Sequence, residues 1–260
     1  SVVVIVGEKG AAQRRLHVRG DAGHGSIPLG RVSAVEMLAQ VSRALSQAQW
    51  PQASDEIWAG FVRAFEFDSE LEESLISGTY RGDYGEFGDL AAYAHAVSHM
   101  TVAQTVARAG GPINVLPSSG ELELDIRTLP GQSEDDVDRA ITEALGELAE
   151  HVTIERLLSE RATASSIDTK LYRAIEETLR QANPGAKVVP ILFPGGSDLR
   201  VGRHKGGVGY GFGSCSSGAT LGQVYSQLHA HDEHIAVEDV VSTVCALDHL
   251  TRVFIYPEKA

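Results

Sequence analysis

The sequence predicts a mixed α/β architecture in two parts, on three observations. Residues 13–160 read strand, helix, strand, strand, helix, strand, the order of a compact α+β domain with helices over one face of its sheet. From residue 165 onward a helix, a strand, a Gly-rich loop, a second strand and a closing helix suit part of an α/β domain. The chain also opens on Val2-Val3-Val4-Ile5-Val6, a β-branched run that reads as a strand buried on both faces, with partner strands expected ahead of it.

Each element has its own signal. Arg14–Arg19 alternates polar and apolar through Leu16 and Val18, a half-buried strand. Val35, Leu38, Val41 and Leu45 recur at spacings of three and four and mark one face of a helix over 31–47. Residues 50–100 are less regular: Trp58, Phe61 and Phe65 follow a helical spacing, and an acidic, Gly-rich stretch surrounds Tyr80–Gly88. Strands follow at 101–107 and 121–129. In the second, Leu122, Leu124 and Ile126 face one way, and Glu123, Asp125 and Arg127 the other. Ser133-Glu134-Asp135-Asp136 is a helix start, since the serine hydroxyl accepts from free N–H groups and the acids complement the N-terminus. Val137, Ile141, Ala144, Leu145 and Leu148 continue that helix, and Val152–Leu158 is a further strand. Beyond it come a helix over 168–182, stopped at Asn183-Pro184-Gly185, strands at 187–193 and 207–213, and a helix at 237–254.

Composition narrows the function. A hydrophobic fraction of 43% supports a substantial core and excludes a disordered chain. A net charge of −13 argues against nucleic acid or an anionic membrane as partner, because both reward clustered Lys and Arg. No apolar run reaches the length of a signal-peptide core or a membrane span. Two cysteines, Cys215 and Cys245, give no disulfide framework; they read as packing residues in a reducing, cytoplasmic compartment.

Taken singly, the chemical motifs leave alternatives open. His229-Ala230-His231-Asp232-Glu233-His234 gathers natural ligands for zinc, yet also reads as a solvated loop before a helix. Neighbouring side chains diverge, so a metal there would take one ligand from this loop and the rest from elsewhere. His24, between Gly23 and Gly25, reads as an exposed loop histidine. Asn114 suits an Asx hydrogen bond in a Gly/Pro-bounded turn, and Arg127 a cross-strand charge. Pro194-Gly195-Gly196-Ser197-Asp198 reads as a turn whose N–H groups could also meet an anion. The glycines of Gly207–Gly213 alternate with Val, Tyr and Phe, giving a strand one bare face for close backbone packing.

Order and spacing add more. Gly20-Asp21-Ala22-Gly23-His24-Gly25-Ser26-Ile27-Pro28, Gly111–Pro117, Asp125–Gly131, Gly195–Asp198 and His229-x-x-Asp232-Glu233 together resemble the dinuclear zinc aminoacylase/carboxypeptidase family. That family includes aminoacylase-1, acetylornithine deacetylase and succinyl-diaminopimelate desuccinylase. The stretch Thr101–Arg127 is most similar to the aminoacylase and N-fatty-acyl-amino-acid hydrolase branch.

The resemblance implies an α/β, zinc-peptidase-like catalytic domain interrupted by an α+β two-layer lid that mediates homodimerisation. Residues 13–161 would be the lid, with the acidic stretch at 50–100 as an insertion in it. Residues 1–12 and 162–260 would be the later part of the catalytic domain. His229 matches the family's C-terminal zinc ligand. His24 matches the lid histidine that reaches the partner subunit's site and stabilises the oxyanion. Asn114 and Arg127 match the residues that hold the substrate carboxylate, and Gly196 and Ser197 the loop beside the substrate. The family's other four metal ligands and its general-base glutamate precede the strand on which this chain starts. The expectation is a metal-dependent hydrolase of an amide next to a free carboxylate, an N-acyl amino acid or dipeptide. It uses two zinc ions when intact, and this chain alone, with no or incomplete metal, is expected to be inactive. Two alternatives stand beside it: a non-catalytic dimerising fragment completed by another chain, and a separate metal site built from His229, His231 and His234.

Overall fold

A computed structural model describes residues 1–213, 218–228 and 230–255. In chain order the strands are β1 (Val2–Glu8), β2 (Gly10–Ala11), β3 (Arg14–Arg19), β4 (Gly23–His24) and β5 (Thr101–Ala109). They continue with β6 (Val115–Leu116), β7 (Ser119–Thr128), β8 (Val152–Arg156), β9 (Thr163–Ala164) and β10 (Val188–Phe193). The helices are α1 (Ala34–Gln47), α2 (Glu56–Arg63), α3 (Ser69–Ile76), α4 (Ala91–Ser98) and α5 (Glu134–Leu145). After them come α6 (Lys170–Ala182), α7 (Leu199–His204), α8 (Leu221–Gln227) and α9 (Val237–Ile255). These elements form two units. One comprises Lys9–Gln52 and His99–Ala162; the other comprises Ser1–Glu8, Ala53–Ser98 and Thr163–Ala260.

The Lys9–Ala162 unit is the α+β layer pair read from the sequence. Its sheet is antiparallel throughout. β7 is the central strand, with β5 along one edge and β2 and β3 along the other, and β8 lies outside β3. Alternation along β3 and β7 sends Leu16, Val18, Leu122, Leu124 and Ile126 to one face. There they pack with Met37, Val41 and Leu45 of α1 and with Val137, Ile141 and Leu145 of α5. A one-residue slip would turn this whole set to solvent, so the apolar pattern fixes the register. α1 begins at Ala34, three residues later than the spacing predicts, because the Ser33 hydroxyl accepts from Glu36 N and ends the loop there. α5 begins as predicted, with a reciprocal capping box between Ser133 and Asp136. Arg14 lies on the core face and is fully buried, its guanidinium 2.6 Å from Glu134 and 2.7 Å from Asp138 of α5.

The second unit is built on β1. It runs parallel to β10 and pairs with β9 antiparallel at Gly7 and Glu8. Val4 and Val6 are fully buried against Tyr172, Ile175 and Leu179 of α6 and Leu250 of α9, whereas Val2, Val3 and Ile5 are half-buried. Ala53–Ser98 interrupts the α+β unit in sequence, and in space it packs in the β1 unit. The reason is its aromatic content. Trp58, Phe61, Phe87 and Tyr93 form one ring cluster, and Tyr93 Oη donates to Leu192 O of β10 at 2.7 Å.

Two expectations change in this unit. The predicted strand at 207–213 is a single bridge, Gly211 to Ile5. Its backbone is committed elsewhere: Gly209 N–H donates to Ser165 Oγ, and Gly209 O accepts from Arg203 Nη2 at 2.6 Å. Cys245, read as a packing residue, is exposed, because α9 turns Asp239, Ala246 and Leu250 inward. Cys215 lies outside the described residues.

Candidate functional site

The loop between β3 and α1 presents His24, and close backbone approach holds it in place. A Cβ on Gly20 would lie 2.2 Å from Ala34 N, so only glycine lets the loop leave β3 against the start of α1. Asp21 clamps the far end of the loop: its N–H donates to Val32 O at 2.7 Å and its Oδ2 accepts from Val32 N at 2.9 Å. Between these anchors β4 pairs with β6, setting His24 opposite Val115, and Gly25 N–H donates to Asn114 O at 2.7 Å. His24 and Asn114 therefore share one small ribbon, and both are exposed.

The protonation pattern of His24 follows from its own turn. Nδ1 accepts from the backbone N–H of Ser26 at 3.2 Å and lies 2.8 Å from Ser26 Oγ. An accepting Nδ1 places the neutral ring's proton on Nε2, which is left as a donor toward an incoming group.

Arg127 stands on the polar face of β7, paired in register with Thr101 of β5 and Ala11 of β2. Its Nε donates to Asp125 Oδ2 at 3.2 Å, and the side chain is 36% exposed. Further along the same face, hydrogen bonds from Arg108 and Arg15 hold the Glu123 carboxyl below its ordinary range. Sequence reasoning missed Lys9, which is buried although lysine is ordinarily a surface residue. Its Nζ donates to His99 O at 2.8 Å and to Thr101 Oγ1 at 3.2 Å. Burial, reinforced by the Arg127 charge, pulls this ammonium down to about 7. Lys9-Gly10 is a charge beside a glycine, and no periodicity marks it. Only the close approach of Glu160 O to Gly10, which leaves no room for a Cβ, shows how tightly this corner packs.

In the β1 unit, Gly196 is exposed and Ser197 half-buried in the turn before α7, where Ser197 O accepts from Arg200 N. His229 lies outside the described residues. His231 and His234 are exposed, with His234 Nδ1 2.7 Å from Asp232 O. Among the described residues, no three His, Cys, Asp or Glu side chains come together to hold a metal ion.

A histidine-bearing ribbon and an arginine on one helix-backed antiparallel sheet can now be set beside known proteins. Residues 6–153, which hold His24, Asn114 and Arg127, match the M20 peptidase dimerisation domain. The chain belongs to the M20 peptidase family. The resemblance read from the motif blocks is thus met at the level of the family. A probable carboxypeptidase S-like 2 of Dictyostelium discoideum is 26% identical over 205 residues, which are 74% of this M20 chain and 37% of that protein. The M20 family metallo-carboxypeptidase Sso-CP2 of Sulfolobus solfataricus shares the fold, with a TM-score of 0.64 and 18% identity over 97% of this chain and 60% of that one. The di-peptidase Dug1p of Saccharomyces cerevisiae does so with a TM-score of 0.59 and 16% identity over 99% of this chain and 57% of its own. The M20 chain therefore spans less than two thirds of the length of each of these relatives.

Proposed function

We propose that this M20 chain supplies the substrate-holding lid of a metal-dependent hydrolase that cleaves an amide next to a free carboxylate, in an N-acyl amino acid or a dipeptide. The observation that carries the reading is the polarity of the exposed α+β unit residues. Arg127 donates through Nε to Asp125, and a carboxylate can meet its remaining N–H groups in a forked pair. Asn114 adds amide donors on the ribbon. His24, with Nδ1 accepting, offers Nε2–H to the oxyanion that develops on the scissile carbonyl. Holding the carboxylate fixes the distance from that end to the reacting carbonyl, which lowers the entropy cost of the attack.

On this reading residues 13–161 act as the lid, and residues 1–12 and 162–260, with Gly196 and Ser197 beside the substrate, as the catalytic portion. Ile27, Leu29, Ile113 and Val115 are exposed around the ribbon, which supports its insertion against a second protomer in a homodimer. The described residues do not by themselves fit a two-zinc centre, and His229 would be this chain's ligand to one. No helix among the described residues is long and apolar enough to cross a membrane, and a cytoplasmic location is part of the proposal.

Steady-state hydrolysis of N-acetyl amino acids by the metal-loaded enzyme assembled around this chain checks the roles. Arg127→Gln should raise KM for free-carboxylate substrates and erase the preference over their amidated forms. His24→Ala should lower kcat by about 100-fold or more with little change in KM. Equal turnover of amidated substrates by wild type would sink the carboxylate reading, and an unchanged kcat would remove His24 from the chemistry, leaving the ribbon a dimerising role.

A further inference from the structure

Arg203 is a buried cation that the proposed mechanism leaves unused. It lies on α7, a helix of six residues with no buried apolar side chain: Leu199 and Val201 are exposed, and Arg203 is its buried residue. A guanidinium in that place costs desolvation unless its donors are met. They are met from three directions. Nη2 donates to Gly209 O at 2.6 Å, Nε to Ser165 Oγ at 3.1 Å and Nη1 to Thr163 Oγ1 at 3.4 Å. Glu8, itself 1% exposed, supplies the opposite charge, with Oε1 3.5 Å from Nη1 and accepting from the Thr163 hydroxyl at 3.3 Å. The bare face of Gly209 completes the fit, since a Cβ there would lie 2.9 Å from Leu199 Cδ2.

This junction closes a short loop of chain. β10 ends at Phe193, which is paired in register with Glu8 on β1. The turn 194–198 and α7 carry the chain out and back, and Arg203 returns to the same Glu8. The turn that holds Gly196 and Ser197 is thereby pinned on both sides at one residue of β1. An apolar side chain at 203 would also favour burial, but burial has no direction; the guanidinium fork fixes both the place and the rotation of α7.

We propose that Arg203 is a positioning residue for the substrate, setting the place of the Gly196–Ser197 turn through α7. This rests on the reading of that turn as lying beside the substrate, and it names what holds the turn there. Arg203 touches no substrate in this role; it acts through the turn, where a displacement of about 1 Å forfeits much of what a well-placed contact contributes. Lysine at 203 keeps the charge beside Glu8 but offers one nitrogen in place of the three that reach Gly209, Ser165 and Thr163, so it holds α7 less firmly.

The test sets amide NMR spectra of the full chain beside steady-state hydrolysis of N-acetyl amino acids by the metal-loaded enzyme. Arg203→Lys should shift the Gly195, Gly196 and Ser197 amide signals and leave those of Val4 and Ile175 in the core in place. It should raise KM several-fold with kcat within about twofold. Val6→Ala, a truncation in the core of the same unit, controls for lost stability: it should lower the urea midpoint and leave the turn signals and KM at wild-type values. Ser165→Ala removes the acceptor of Nε without changing any charge. It should move the turn signals as Arg203→Lys does, and it carries the test if the lysine variant does not fold. Turn signals unmoved in the folded variants, or moved as far by Val6→Ala, would overturn the positioning role. So would turn signals that move without a change in KM in an enzyme where Ser197→Ala raises KM. An unchanged KM in Ser197→Ala would instead overturn the reading of the turn as lying beside the substrate.

Discussion

At the scale of single residues, burial decides which charges matter. Lysine 9 and arginine 14 both sit in sequence among ordinary strand-edge charges, yet the first is 3% and the second 0% exposed. Arg14 is paired with two carboxylates, Glu134 and Asp138. Lys9 is held by a carbonyl and a hydroxyl and faces another cation, so its folded-state midpoint falls to about 7. In the unfolded chain a lysine keeps its proton to about 10.4. Between those values the unfolded state binds more protons, and stability rises with pH by up to about 1.4 kcal/mol per unit; below 7 the cost of the buried charge is fully present. Urea unfolding of wild type and Lys9→Met at pH 7, 8 and 9 checks the sign, since the gap between the two should shift steadily in favour of wild type. A constant gap would mean that Lys9 does not lose its proton on folding in this window. His24 is a different case: its sequence neighbours predicted its exposure, but only the turn back from Ser26 N–H settles which ring nitrogen can donate.

At the scale of elements, those with strong local signals stand where the sequence puts them. α5 has both halves of its capping box, three acids in its first turn and one continuous apolar face. Ser133→Ala should destabilise the chain by about 1 kcal/mol, read as a lowered urea midpoint with an unchanged denaturant slope. A Ser133→Ala protein as stable as wild type would show that Asp136 and the helix dipole suffice without the hydroxyl. Elements with weak local signals were misread or missed. The segment 207–213 has strand-like alternation, but the backbone of Gly209 is claimed by nearby Arg203 and by Ser165, 44 residues away in sequence. α3 and α7, at eight and six residues, are too short for a hydrophobic period to declare itself.

For the whole molecule, the acidic balance has one main source. Residues 53–98 carry ten acids and two bases, eight of the thirteen net negative charges. They pack with the β1 unit, whereas the strands on either side of them in sequence belong to the α+β unit. Gln52 and His99 are bridged, and Met100 N–H donates to Pro51 O at 2.9 Å, so the two ends of that insertion meet within the α+β unit. A chain of residues 9–162 with 53–98 replaced by a short Gly-rich linker should therefore fold alone, with cooperative unfolding and dispersed amide signals. A collapsed product without those signals would show that the α+β unit depends on the rest of the protein.

The sequence by itself determined the α+β layer pair, the capped start of α5 and the M20 family, and it proposed His24, Asn114 and Arg127 as site residues. All of these rest on local periodicity or on short blocks in a set order, which survive without knowledge of contacts. Only the tertiary structure decided that residues 53–98 belong with β1, that Gly211 bridges where a strand was expected, and that Lys9 lies buried with its ammonium on His99 O and Thr101 Oγ1. Each of these depends on partners tens of residues away, and a desolvated ammonium has the same letter in the sequence as a solvated one.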